Sequence, residues 1–357
     1  MRCSAARRLI QHAIVAALVL IGAVSVATAQ DIERVEDGLW STEEIVLYRA
    51  QIASDRLEVK SSENLTGKLT FATWDRDSIK VSYYKQARTD SRSRAIDYID
   101  LISVDLDTRA PISEIELRAP NPAPWSKRAE NGLLTATILV PQNTHIDVDA
   151  IYHDVDATGP LAALRIPNSL GRIEVRRISG DLDITTANRR IRLEEVAGTI
   201  SVSTSNATLT AIDVDATSAQ ARFRNEGGDI EIDGVRGEVN IRNSYGRVSV
   251  FDFTPGGESS VIRNSSGLII VEVIDMQEGQ LVVSNRHEDV ELTIPDALSA
   301  FLSLSVGDGE IECSGFSFTP ELVQDNRLNL ILGDGAVDMS STVRGKGNIY
   351  VRGVKGE

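Results

Sequence analysis

Gly228-Asp229-Ile230-Glu231-Ile232, Gly237-Glu238-Val239-Asn240-Ile241 and Gly246-Arg247-Val248-Ser249-Val250 follow one another at nine-residue steps. All three read glycine, any residue, apolar, any residue, apolar. Upstream, Gly171-Arg172-Ile173-Glu174-Val175 and Gly180-Asp181-Leu182-Asp183-Ile184 repeat the same pattern, again nine residues apart. In such a unit the two apolar residues share one strand face, because side chains alternate along a strand. A short fixed period that outlasts any hairpin marks a solenoid.

Degenerate copies extend the pattern into two series of strand starts. One runs through Gly180, Gly198, Ala219, Gly237, Glu258, Gly279, Ala300, Asn326 and Gly347; the other runs through Gly171, Arg189, Ala207, Gly228, Gly246, Gly267, Glu288, Gly309 and Gly335. Within each series the step is 18 or 21 residues, with one longer step of 26. The spacing predicts an all-β solenoid, β-helix or β-roll like, with about 18–21 residues and two strands per coil. One coil cannot bury its apolar face alone; stacked coils about 4.8 Å apart can. No repeat carries a helix-length pattern, which excludes leucine-rich-repeat and α-solenoid architectures.

Three residues before the glycine position of the second series stand Asn168, Asn225, Asn243, Asn264 and Asn285. Asparagine tolerates left-handed backbone, and stacked amides can bond along a column. The last four predict a structural Asn column at a corner, each amide bonding to the next.

The chain divides into three expected parts. Residues 1–29 read as a signal peptide: Arg2, Arg7 and Arg8, an apolar run over 13–26, then Ala27-Thr28-Ala29 before a cleavage point at Gln30. Residues 30–160 read as an irregular β-rich part or cap, and 161–357 as the regular solenoid. Within the cap, residues 83–100 are a polar loop or a short helix near Ala95, and Pro120-Asn121-Pro122-Ala123-Pro124-Trp125 is an irregular loop. The expected localisation is export: periplasm, cell surface or medium, with no transmembrane segment after signal cleavage.

The formal charge is −15, and losing Arg2, Arg7 and Arg8 takes it to −18. That disfavours nucleic acid and anionic membranes as partners. Aromatic residues make up only 5% of the chain, too few for stacking platforms. Cys3 leaves with the signal, and Cys313 occupies an inward slot where a thiol acts as a small hydrophobe.

The units Asn168-Ser169-Leu170-Gly171, Asn243-Ser244-Tyr245-Gly246 and Asn264-Ser265-Ser266-Gly267, with Leu65-Thr66-Gly67-Lys68-Leu69 and Trp74-Asp75-Arg76-Asp77, carry a resemblance. They resemble the putative-adhesin family of exported β-strand-repeat proteins, domain of unknown function 4097. The resemblance implies an exported β-helix or β-roll, often at the cell envelope. It brings no catalytic motif.

Outward positions form rows. Glu174 is expected beside Arg192, and Arg247 beside Asp229. Asp289, Glu291, Glu310 and Glu312 are expected on adjacent rows of one face, where like charges destabilise a sheet. A bound Ca²⁺ relieves that, as does splaying into water; screening favours splaying. Leu268 and Ile270 fall on outward slots and form a candidate interaction patch unless a loop covers them; Val282 and Phe301 are outward in the other series. Tyr152-His153-Asp154 and His145 lack the further ligands of a metal site, so a surface turn is the better reading of His153.

The expected function is a non-catalytic, adhesin-like binding or structural module at the envelope or outside the cell, with no cofactor. The envelope or extracellular partner is unknown, and coil ends offer self-association. The alternative is a carbohydrate-active enzyme on a β-helix, which needs two carboxylates at defined separation. Carboxylates are too common here to identify such a pair.

Overall fold

The computed structural model describes residues 31–50, 54–109, 111–316 and 326–355. The chain divides into Met1–Asp31 and Ile32–Glu357, and the second unit is described here. The expected signal segment lies outside the described residues.

Two parallel ladders make the solenoid. The first sheet stacks, in spatial order, residues 113–118, 56–61, 145–149, 163–169, 181–186, 200–204, 221–225, 238–243, 259–264, 280–285, 337–346 and 300–308. The second stacks residues 131–141, 65–74, 153–158, 173–176, 191–197, 209–216, 230–237, 248–255, 269–273, 290–295, 349–354 and 311–314. Two long strands, Leu209–Asn225 and Ile230–Asn243, run from the second sheet around a bend into the first.

The residues explain this path. Ile173, Val175, Ile230, Ile232, Val248 and Val250 are buried, as alternation requires. At the bend, one residue per coil takes left-handed backbone: Arg177, Glu195, Asp213, Gly234 and Asp252, with φ between 47° and 71°. The extra residue flips the alternation, so Ile178, Val196, Val214, Val235 and Phe253 turn inward just beyond it. At the opposite corner the glycines begin the next strand. Gly246 has φ 107°, and a Cβ there would lie 2.4 Å from the Gly228 carbonyl oxygen of the neighbouring coil. Both facts favour glycine.

Coil order in space departs from chain order at both ends. Residues 56–74 insert between 113–141 and 145–158. Residues 337–354 insert between 280–295 and 300–314. The 26-residue step therefore conceals a reversal: the strand Arg327–Leu332 pairs antiparallel with Ala300–Asp308 on the outer edge before the chain slots back inside. The strand after Gly335 consequently belongs to the first sheet and the strand after Gly347 to the second, opposite to the sequence expectation. The parallel ladder also starts well before residue 161, since residues 56–74 already pair in register with 145–158.

Antiparallel strands close the other end. Ser78–Arg88 covers Asn131–Pro141, and Ser103–Asp107 covers Ser113–Arg118. Between them the helix Arg92–Asp100 forms, its N-terminus capped by the Ser91 side chain accepting from the Arg94 N–H. Its buried Tyr98 meets Trp125 edge-on at 5.3 Å, and Trp125 donates from Nε1 to the Asn64 carbonyl at 2.8 Å. The proline-rich segment is thus a loop ending in the 3₁₀ turn Pro124–Lys127. Among the described residues no helix is long and apolar enough to cross a membrane.

Candidate binding face

The Asn column exists and is buried: Asn225, Asn243, Asn264 and Asn285 are each at most 5% exposed. Asn225 stands opposite Asn243, and Asn264 opposite Asn285. Their amides do not bond to one another as expected. Each Nδ2 donates instead to a turn carbonyl of the neighbouring coil: Asn225 to Ala207 at 2.8 Å, Asn243 to Gly228 at 3.1 Å, Asn264 to Gly246 at 2.8 Å and Asn285 to Gly267 at 2.9 Å. Corner carbonyls have lost their ladder partners, and a buried unpaired carbonyl is costly. Ser169, Thr186 and Thr204 continue the column upstream, so Asn168 is not a member, and Val343 follows Asn285.

The four carboxylates do not meet. The inserted last coil puts Tyr350 between Glu291 and Glu312 in the register, because Glu291 pairs with Tyr350 and Tyr350 with Glu312. Asn348 stands between Asp289 and Glu310: its N–H donates to Asp289 Oδ1 at 2.7 Å, and its own Oδ1 accepts from the Glu310 N–H at 2.9 Å. Two rungs separate each expected pair, about 9.6 Å. The adjacency that motivated a cation is therefore absent. Among the described residues no group of three or more His, Cys, Asp and Glu side chains has metal-binding geometry.

Leu268 and Ile270 lie on the outer side as expected, half-buried, with Ile270 between Ser249 and Glu291. Ile311 and Cys313 face inward on the spatially outermost coil, and burial pushes the Cys313 thiol pKa up to about 11. His153 is not in a surface turn. It is fully buried on the inward side of the strand His153–Thr158, with neither ring nitrogen hydrogen-bonded, and burial lowers its pKa to about 4. The alternation of Val155 and Ala157 was the signal for that inward position; a histidine beside aspartate and tyrosine obscured it.

The two outer faces differ in charge. On the second sheet, opposite charges interleave. Lys68 meets Asp156 at 2.5 Å, Arg176 meets Glu174 at 2.8 Å and Glu194 at 3.5 Å, and Arg192 meets Glu194 at 3.6 Å. Glu174 does stand opposite Arg192 in the register, but its carboxylate turns to Arg176 along its own strand. Asp229 lies beside Arg247 and accepts its backbone N–H at 2.8 Å.

Upstream on the first sheet charges also mix, Arg165 meeting Asp147 at 3.3 Å and Asp183 at 3.6 Å, but from residues 200–204 onward the register aligns two central outward columns across eight strands. One is Ser201, Arg222, Asn240, Val261, Val282, Ser340, Ser303 and Asn329. The other is Ser203, Arg224, Arg242, Arg263, Ser284, Thr342, Ser305 and Arg327. These sixteen positions hold no carboxylate, in a chain with 52 Asp and Glu residues. Eight strands span about 34 Å. Arg222 is steadied by its Nε bond to Gln220 Oε1 at 2.6 Å, and Gln220 in turn donates to Glu238 in the flanking column. Arg224 has Glu226 at 3.6 Å. Arg242 and Arg263 are exposed and pair with no carboxylate among the described residues. Sequence reading missed this face because its columns are complete only once residues 337–346 are placed beside 280–285.

The family described as Toastrack DUF4097 matches residues 56–329. Among solved structures, a "putative cell adhesion protein" from Clostridium sporogenes aligns at 8% identity and TM-score 0.20, over 87% of this chain and all of that one. A "putative adhesin" from Bacteroides fragilis aligns at 10% identity and TM-score 0.30, over 87% of this chain and 97% of that one. No curated protein matches the chain.

Proposed function

The chain belongs to the Toastrack DUF4097 family, and from that premise we propose that it is an exported, non-catalytic, adhesin-like module that binds at the cell envelope or outside the cell. The observation that carries this reading is the outer face of the first sheet. Fourteen of its sixteen central positions, in fixed hydrogen-bonded register, present guanidinium, hydroxyl and amide groups along one strip, and the other two are Val261 and Val282. A rigid ladder fixes the backbone positions of such groups, which lowers the ordering cost of binding an extended partner. The N-terminal basic residues, apolar run and Ala27-Thr28-Ala29 support export.

Sedimentation with isolated envelopes tests the proposal. Purified residues 30–357 should pellet with envelope fragments of the source organism in a saturable manner. A chain that stays in the supernatant at every concentration and at low salt overturns the reading.

A further inference from the structure

Arg224, Arg242 and Arg263 stand on three successive rungs about 4.8 Å apart. Like charges directly opposite across a strand pair are destabilising. Core packing does not require arginine here, because these positions point outward; Phe223, Ile241 and Ile262 fill the interior beside them. Upstream on the same sheet Arg165 stands between Asp147 and Asp183, and on the second sheet Glu174 stands opposite Arg192, so a run of three stacked arginines is not imposed by the fold. Beyond Arg263 the column continues with Ser284, Thr342 and Ser305, and Ser305 Oγ lies 3.3 Å from Thr342 Oγ1.

We propose that this face binds a linear polysaccharide bearing carboxylates, laid along the solenoid axis. The guanidinium groups pair with its carboxylates, and the hydroxyls beyond them exchange hydrogen bonds with sugar hydroxyls. Half-buried Val261 and Val282 offer an apolar strip for a sugar ring face. The inference names the partner class of the module proposed above and rests on that reading.

Charge density selects the polymer. Duplex DNA carries a charge about every 1.7 Å of its axis, far denser than one guanidinium per rung. A polymer with at most one carboxylate per sugar matches the rung spacing more closely. The sixteen positions also include no aromatic residue, so base stacking has no platform.

The test uses residues 30–357 with polygalacturonate, neutral dextran and single-stranded DNA in affinity electrophoresis. Polygalacturonate should retard the protein, and rising salt should weaken the effect. Arg242→Gln/Arg263→Gln should weaken binding about tenfold or more. Arg176→Gln/Arg192→Gln, with the same change of net charge on the second sheet, should leave it nearly unchanged. Ser284→Glu/Ser340→Glu supplies a second disruption that leaves the arginines in place, and should also abolish retardation. Equal loss in the second-sheet variant, retardation no greater than in dextran, or tighter binding to DNA overturns the proposal. If envelopes are bound but the arginine variant binds them undiminished, the module stands and this partner assignment fails. If polygalacturonate is bound but envelopes are not, the fault lies in the envelope reading.

Discussion

The mixed-sign stretch of the second sheet and the later coils of the first are built from one repeat and one kind of hydrogen-bonded ladder, yet they treat charge differently. On the second sheet Lys68, Asp156, Glu174, Arg176, Arg192 and Glu194 form a mixed-sign network in which each cation has a carboxylate within 4 Å. On the first, Arg224, Arg242 and Arg263 stack on one another. Exposed ion pairs contribute at most about 1 kcal/mol each, so neither pattern decides whether the solenoid folds. The outward positions are thus free to vary without unfolding the ladder. The interior and the corners hold the coils together.

The comparison presumes a fixed register, and the largest expected effect comes from breaking it. Gly246→Val introduces a Cβ 2.4 Å from the Gly228 carbonyl oxygen at φ 107°. Left-handed strain and overpacking together should cost about 2–5 kcal/mol. Denaturant unfolding should show this loss, and both faces should lose their ordered columns. A variant as stable as the parent would mean that the coils do not approach as closely as described.

Acid offers a milder break beneath the second sheet. His153 is held neutral because burial lowers its folded pKa to about 4, below the unfolded value of 6.5. Between those values the unfolded chain binds the extra proton, so stability falls as pH drops from 6.5 towards 4. The contribution of this group at pH 4.5 should be about 2–3 kcal/mol less favourable than at pH 7.5. Stability measured against pH for the parent and for His153→Leu should diverge in that window by this amount. Parallel curves would place the imidazole in contact with water.

The smallest effect sharpens the contrast between the faces themselves. Arg176→Gln should destabilise by less than about 1 kcal/mol, and the loss should fade in high salt. Arg242→Gln should instead stabilise by a few tenths of a kcal/mol at low salt, because it removes a like-charged neighbour. Melting temperatures of the two variants at low and high salt read both signs at once. A loss of stability in Arg242→Gln would reveal a favourable contact for that guanidinium in the free protein.

Much of the architecture was legible because strand alternation has a period of two and strand starts recur at nine to twelve residues, two per coil. Those periods place Ile230 and Ile232 inside, Leu268 and Ile270 outside, and the asparagines at a corner. They misjudge the asparagine partners, because the pattern shows a column but not that the adjacent turn carbonyls lack other donors. They also misjudge His153, whose residue type suggested surface while its strand parity required burial.

The repeat by itself determined that the chain coils, how many strands each coil holds and which side chains face the core. Only the tertiary structure decided which coil lies against which. The apolar face of every coil is nearly the same, so stacking energy scarcely distinguishes one neighbour from another. Order at the ends is set by connecting segments, through the antiparallel strand Arg327–Leu332 at one end and the strand–helix cap at the other. That choice separated Asp289 from Glu310 with Asn348, and it completed the arginine and hydroxyl strip by placing Ser340 and Thr342 beyond Val282 and Ser284.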